Sequence, residues 1–335
     1  MSSPFVAYTV LIAAALLDYG LGDPWGWPHP VRWVGAVIQW FSEICAYGQR
    51  WPIWAQRLGG AGLTLSLIGG SGLMAWAVVA AAAQVSPLLG WGLAVVGTAS
   101  GLAGRSLRQA AEEVLAPLEV GDLLRARRCL AKYVGRDTEH LDDAEVRRAV
   151  LETVSENATD GVMAPLFYGA IATLFLPQVG PFPLVMAYKA ASTLDSMIGY
   201  RQPPYTHWGW FAAKTEDLLT WLPCRMVVLL VALCSGHWRR VWAWCWRDAP
   251  QDPSPNSGWS ECAYAAALGV QLGGVNTYRG LIKVKPHLGE PLSPITAATI
   301  AKALGLTRQL CLLSLALTGG MLLLLHDPLP LLAFP

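Results

Sequence analysis

Residues 61–83 read AGLTLSLIGGSGLMAWAVVAAAA. No charged side chain interrupts the run, and as a helix it is long enough to span the hydrocarbon core of a bilayer. The rest of the composition agrees. The chain has 335 residues, 54% hydrophobic and 14% charged, whereas an average soluble domain is about one quarter charged. The expected class is mainly α: a polytopic integral membrane protein with amphipathic cytoplasmic helices, the lipid bilayer being its first partner. Many of the 16 Trp stand near the ends of apolar runs, among them Trp25, Trp27, Trp91, Trp208, Trp210 and Trp221. A ring that is half wet and half greasy suits headgroup depth. A net charge of +1 offers no basic face for nucleic acid.

Further candidate spans are 5–22, 87–104 and 310–325. Between 105 and 155 the pattern changes. Leu107, Ala111, Val114, Leu115 and Leu118 recur at helical spacing, which predicts an amphipathic helix packed on protein rather than a spanning one. This stretch is also the most basic, with Arg105, Arg108, Arg125, Arg127, Arg128, Lys132, Arg136, Arg147 and Arg148. The positive-inside rule puts it in the cytoplasm. The expected organisation is one membrane-embedded catalytic domain over 1–335, with a cytoplasmic helical insertion at 105–160. If 5–22, 61–83 and 87–104 all cross, the N-terminus lies outside. Pro177, Gly180, Pro181 and Pro183 separate 162–176 from 182–198 and predict a hairpin there. Segment 218–235 is apolar but holds Arg225, so it is not expected to be a lone crossing. The seven Cys show no C-x-x-C spacing and read as buried free thiols in a reducing compartment. No cleavable signal is expected, since the first apolar stretch has no basic n-region.

Polar residues are few and fall in five clusters. The first, DYGLGDPWGWPHPVRWVG (18–35), carries Asp18, Asp23, His29 and Arg32; the plain alternative is a rigid turn after the first helix. The second joins GRDTEHLDD (135–143) to ETVSENATDG (152–161). On a continuous helix Glu152, Glu156 and Asp160 share a face. Such a stripe repels itself unless a cation sits in it, and hard oxygen ligands suit Mg²⁺; the alternative is a solvated acidic face beside Arg147 and Arg148. The third, YKAASTLDSMIGY (188–200), holds Lys189 and Asp195, read either as a phosphate contact and a metal or amine contact, or as an internal ion pair. The fourth is KTEDLLTWLPCR (214–225), with Asp217 and Arg225. The fifth is SPNSGWSECAYAAALGVQLGG (254–274), with Asn256 and Glu261; its alanines and glycines would also allow close helix packing. No P-loop, H-E-x-x-H or G-x-S-x-G signature occurs.

Taken in order, these stretches resemble the adenosylcobinamide-phosphate synthases of cobalamin biosynthesis, the CbiB/CobD family of polytopic membrane proteins. The resemblance runs from about residue 16 to about residue 289. It is carried by DYGLGDP with PHPVRWVG, GRDT, SENATDGVMAPLFY, TLDSMIGY, and SPNSGWSE with LGVQLGG. The chain departs from the family pattern R-L-D-D-x-x-N-x-x-P-A-R at Lys214, Glu216, Thr220 and Cys224, while Asp217, Pro223 and Arg225 match. Asp252 stands where a His is expected.

The resemblance implies an ATP- and Mg²⁺-dependent ligase. It would join the carboxylate of adenosylcobyric acid to (R)-1-amino-2-propanol O-2-phosphate, or to ethanolamine phosphate, forming an amide. Other cobalamin-assembly enzymes would be further partners. The implied metal set is Glu152, Glu156 and Asp160. Asp160, Lys189, Asp195 and Asp217 are the implied catalytic residues, with Asp195 or Asp217 taking a proton from the amine. Asp23, His29, Arg32, Arg136, Asn157, Arg225, Asn256 and Glu261 would bind substrate or phosphate. ATP is cytoplasmic, so the active face of a multi-pass protein of the cell's inner membrane would be cytoplasmic too. The competing readings are a non-catalytic inner-membrane regulator of the AmpE type and a small-solute transporter.

Overall fold

The computed structural model describes residues 3–22 and 30–326. The order of elements is α1 (Pro4–Gly20), α2 (Pro30–Tyr47), α3 (Ile53–Val85), α4 (Pro87–Ala99), α5 (Gly104–Glu119), α6 (Leu123–Leu130), α7 (Asp143–Asn157), α8 (Ala164–Phe175), α9 (Pro181–Ile198), the short α10 (Tyr205–Trp208), α11 (Trp210–Ser235), α12 (Trp238–Asp248), α13 (Ser257–Leu268), β1 (Gln271–Tyr278), β2 (Leu281–Gly289) and α14 (Ala297–His326). Among the described residues, five helical stretches are long and apolar enough to cross a membrane: Ile53–Val85, Pro87–Glu119, Asp143–Phe175, Trp210–Ser235 and Ala297–His326. The protein is therefore a mainly α, multi-pass membrane protein, as its composition predicts. All seven cysteines are free.

The chain forms two compact units. The first comprises Met1–Ala103, Ala164–Leu219 and Leu312–Pro335. Its centre is α9 packed on α3. One apolar cluster joins Val10, Ala75, Val79, Ala94, Val95, Phe182 and Met186, and a second joins Val34, Ile38, Ala190, Leu194, Ile198 and Ala212. Small residues let the elements approach closely: a Cβ on Gly60 would lie 1.9 Å from the Trp208 carbonyl oxygen. Elsewhere α3 exposes Leu58, Leu65, Leu73, Met74 and Val78, apolar surface that lipid tails would cover. Segment 162–198 forms the expected pair of helices, α8 and α9, with Gly180 at a φ of 80° leading into α9.

The second unit comprises Gly104–Met163 and Thr220–Cys311. The residues expected to form the inner stripe of α5 (Leu107, Ala111, Val114, Leu115 and Leu118) are all buried. Three features of this unit differ from expectation. First, α-helical bonding ends at Asn157 and a π-helical turn follows over Ala158–Met163; the wider turn breaks the 3.6-residue stripe from Glu152 to Asp160. Second, Gly273 and Gly274 do not pack helices together. They lie in β1 at φ of 84° and 93°, where the antiparallel register with β2 shifts between Leu272 and Gly274. Third, Trp210–Ser235 is one unbroken helix of crossing length. Its Arg225 is tolerable because the guanidinium packs on the Trp221 and Trp259 rings, 4.9 and 4.7 Å from their centroids, which offer a charge partners on protein.

Candidate active site

The site is built on α7, α13 and the β1–β2 hairpin of the second unit. A capping box starts α7: Asp142 accepts from the Glu145 N–H at 2.8 Å, and Glu145 accepts from the Asp142 N–H at 3.0 Å. That fixes the helix whose third turn presents Glu152, which is buried. Glu152 accepts a hydrogen bond from Arg136 and, through Oε1, from the Gly273 N–H at 2.9 Å. Arg136 also donates to Asn276 Oδ1 at 2.8 Å. Arg148, one turn before Glu152, donates to the Gly273 carbonyl and, at 3.1 Å, to that of Val275. The positive φ of Gly273 aims its N–H at the carboxylate, and a Cβ there would sit 1.9 Å from the Pro286 carbonyl oxygen. Asp137 completes the clamp. Its carboxylate accepts from the N–H groups of Arg279 and Gly280 at 2.9 and 2.8 Å, the two positive-φ residues of the hairpin turn. GRDT is thus a fastening between the 135–138 loop and the hairpin.

Beyond the clamp lies a group of charges with few partners. Glu261, fully buried on α13, accepts from Lys285 Nζ on β2 at 3.4 Å. Its other oxygen, Oε2, has no hydrogen-bond partner, nor does the buried Asp252 Oδ2. Burial raises the Glu261 carboxyl above its usual 4.5; Lys285 opposes this, Glu156, Glu152 and Asp252 add to it, and the result is about 8. For Lys285, burial disfavours the ammonium, but Glu261, Glu156, Glu152 and Asp252 outweigh that and hold its proton more firmly than usual. A buried carboxyl poised near neutral pH beside a half-buried cation is suited to accept a proton.

Arg225 and Asn256 are also brought together. Arg225 Nη1 donates to the Pro255 carbonyl at 2.7 Å and to Asn256 Oδ1 at 3.0 Å, which ties SPNSG to α11. Asn157 is exposed, its amide donating to the Thr153 carbonyl at 2.9 Å. Asp160 is half-buried in the π turn. Lys189, Asp195 and Asp217 lie in the first unit. Lys189 and Asp195 are half-buried on α9, six residues apart and so about 120° apart around the helix. Asp217 pairs with Lys214 at 2.9 Å on the first half of α11. Arg32 is exposed on α2. Asp23 and His29 fall outside the described residues.

Glu152 does not fit a metal-ligand role in this arrangement, because Arg136 and the Gly273 amide occupy its oxygens. Among the described residues, no three of His, Cys, Asp and Glu gather as a metal-holding group. Mg²⁺ commonly takes one or two protein carboxylates and completes its shell with phosphate and water. Glu156 and Asp160 offer oxygen chemistry of that kind.

Sequence reasoning missed Lys285 and Asn276 and counted Arg148 only as a neighbour. A signal was present: in LIKVKPHLG (281–289) Lys283 and Lys285 alternate with Ile282 and Val284, the period of a strand.

Residues 11–307 match the family described as CobD/Cbib protein. The chain is 50% identical over 314 residues to "Cobalamin biosynthesis protein CobD" of Synechocystis, covering 94% of this chain and 91% of that protein. It is 41% identical over 311 residues to "Cobalamin biosynthesis protein CbiB" of Salmonella typhimurium, covering 91% and 94%. No solved structure matches.

Proposed function

The chain belongs to the CobD/CbiB family of cobalamin biosynthesis, and from that premise we propose that it is an amide ligase. It condenses the free carboxylate of adenosylcobyric acid with the amine of (R)-1-amino-2-propanol O-2-phosphate, or of ethanolamine phosphate, giving adenosylcobinamide phosphate. ATP drives the reaction by converting a carboxylate oxygen into a phosphate leaving group. The observation that carries this reading is the Glu261–Lys285 pair with its unpartnered Glu261 oxygen. An amine attacks only after losing a proton, and Glu261 Oε2 is a buried acceptor for it. Lys285 is the cation that faces this group, and Glu261, Glu156, Glu152 and Asp252 offset its charge, so anionic substrates need further positive charge here. Mg²⁺ would be held by Glu156 and Asp160, and when bound it supplies charge against the phosphates. Lys189, Asp195 and Asp217 remain candidates for substrate contacts.

The test is turnover by purified full-length Glu261→Gln and Asp160→Asn proteins. Loss of the proton acceptor in Glu261→Gln lowers turnover by about 10²-fold or more, and loss of a metal ligand in Asp160→Asn lowers it as well, while membrane insertion is unchanged and neither variant melts below wild type. Unchanged turnover in both variants would remove the reading and favour the regulator or transporter class.

A further inference from the structure

A second polar feature of the same unit has no part in that chemistry. It is a cavity of about 420 Å³ whose lining includes His237, Arg240, Leu292, Ser293, Thr299 and Lys302. His237 stands two residues past the end of α11, and Thr299 and Lys302 stand in the first two turns of α14. Both helices are of membrane-crossing length and composition. The cavity thus sits where one such helix ends and another begins. Among the described residues no carboxylate lines it. Arg240 donates through Nη2 to the Ala267 carbonyl at 3.0 Å, while its Nε is buried without a partner. Lys302 is exposed. Ser293 and Thr299 add hydroxyls. Arg, Lys and hydroxyl donors around one space, with no counter-charge, are what a phosphate group requires.

The helix that carries Arg240 adds a second, independent observation. Along α12, Trp238, Trp242 and Trp246 recur every fourth residue and are 59%, 54% and 57% exposed. The opposite face, with Val241, Trp244, Cys245 and Asp248, is buried. Three neighbouring indoles facing water form an unfavourable surface. At headgroup depth the same stripe is favourable, since each ring has an apolar body and a polar N–H. A free phosphate ester would account for the basic lining but not for the tryptophans or for Leu292 among the lining residues.

We propose that this cavity binds the phosphate of an anionic phospholipid headgroup, with the α12 tryptophan stripe lying in the same membrane interface. Basic pockets beside membrane-spanning helices take anionic lipids by this chemistry. The purified full-length protein in detergent is mixed with phosphatidylglycerol or phosphatidylcholine at equal concentration, and occupancy is read by native mass spectrometry. Phosphatidylglycerol should be retained in clear preference. Arg240→Gln and Lys302→Gln should each lower that occupancy about fivefold; Lys302 is exposed, so its variant keeps the fold if Arg240→Gln does not. Millimolar inorganic phosphate should leave the lipid in place. Equal retention of the two lipids, or full occupancy in Lys302→Gln, would overturn the proposal. Displacement by inorganic phosphate would overturn it as well, and would make the cavity a site for a free phosphate ester.

Discussion

Arg136 and Glu152 form a buried ion pair, with side chains 7% and 3% exposed. Taking two charges out of water is expensive, and breaking such a pair leaves one of them uncompensated. Glu152→Gln should therefore destabilise the protein by roughly 3–5 kcal/mol, read as a fall in melting temperature. A double replacement of Arg136 and Glu152 by Met and Leu should recover much of that loss. If the single variant melts with wild type, the clamp is not structural. Glu261 makes a different prediction. Its folded value of about 8 lies above its ordinary 4.5. A raised carboxyl contributes stability that is fully present below the ordinary value and is lost as pH rises through the folded value. Wild-type melting temperature should therefore decline between about pH 4.5 and 8, and Glu261→Gln should flatten this part of the profile. The same profile in both proteins would contradict the assigned shift.

The hairpin is the element on which the site depends, and it is the element least legible in the sequence. The stripe of α5 could be read because its period is local: each apolar residue meets the next within two turns. The hairpin could not, because Gly273 and Gly274 break the strand alternation, and their value lies in positive φ and a turned N–H. The partner of that N–H, Glu152, is 121 residues away. Lys285 likewise gains its meaning from Glu261, which lies on another element. The π turn after Asn157 also has no local signature, so a stripe of three carboxylates was expected where the helix in fact widens. Recognition of the motifs located Arg136, Glu152, Asn256 and Glu261, whereas their pairings came only from the fold. Asp137→Ala tests the fastening directly. Losing two charge-assisted bonds to the turn should raise amide hydrogen exchange across 276–284 by at least about tenfold, while exchange in α3 is unchanged. Protection equal to wild type at the turn would show that the hairpin holds without Asp137. Gly273→Ala should be worse than a surface change, by more than about 1 kcal/mol, because Ala is strained at that φ and meets the Pro286 carbonyl.

At the scale of the whole molecule, with five helical stretches of crossing length among the described residues, the proposed chemistry requires every reacting group to reach the side where ATP would be found. The end of α9 that carries Ser192 and Asp195 and the basic 105–148 stretch belong on that side if the proposed chemistry holds. A single cysteine placed at Ser192 should stay unlabelled by an impermeant thiol reagent in intact cells and react after permeabilisation, in a background whose native cysteines are replaced. Labelling in intact cells would separate α9 from the cytoplasmic face. Composition and the uncharged run at 61–83 were enough to place the chain in a membrane. They did not set the status of Trp210–Ser235, because Arg225 packs on Trp221 and Trp259 and bonds to Asn256, and these partners become visible only in the folded unit. The central claim is amide bond formation, and its most direct measurement is mass spectrometry of a reconstituted reaction. Detergent-purified protein is given adenosylcobyric acid, Mg-ATP and aminopropanol phosphate, then ethanolamine phosphate, then each amine without ATP. The account predicts an ATP-dependent product with the mass of the amide from at least one amine. No product from folded, monodisperse protein with either amine would contradict it.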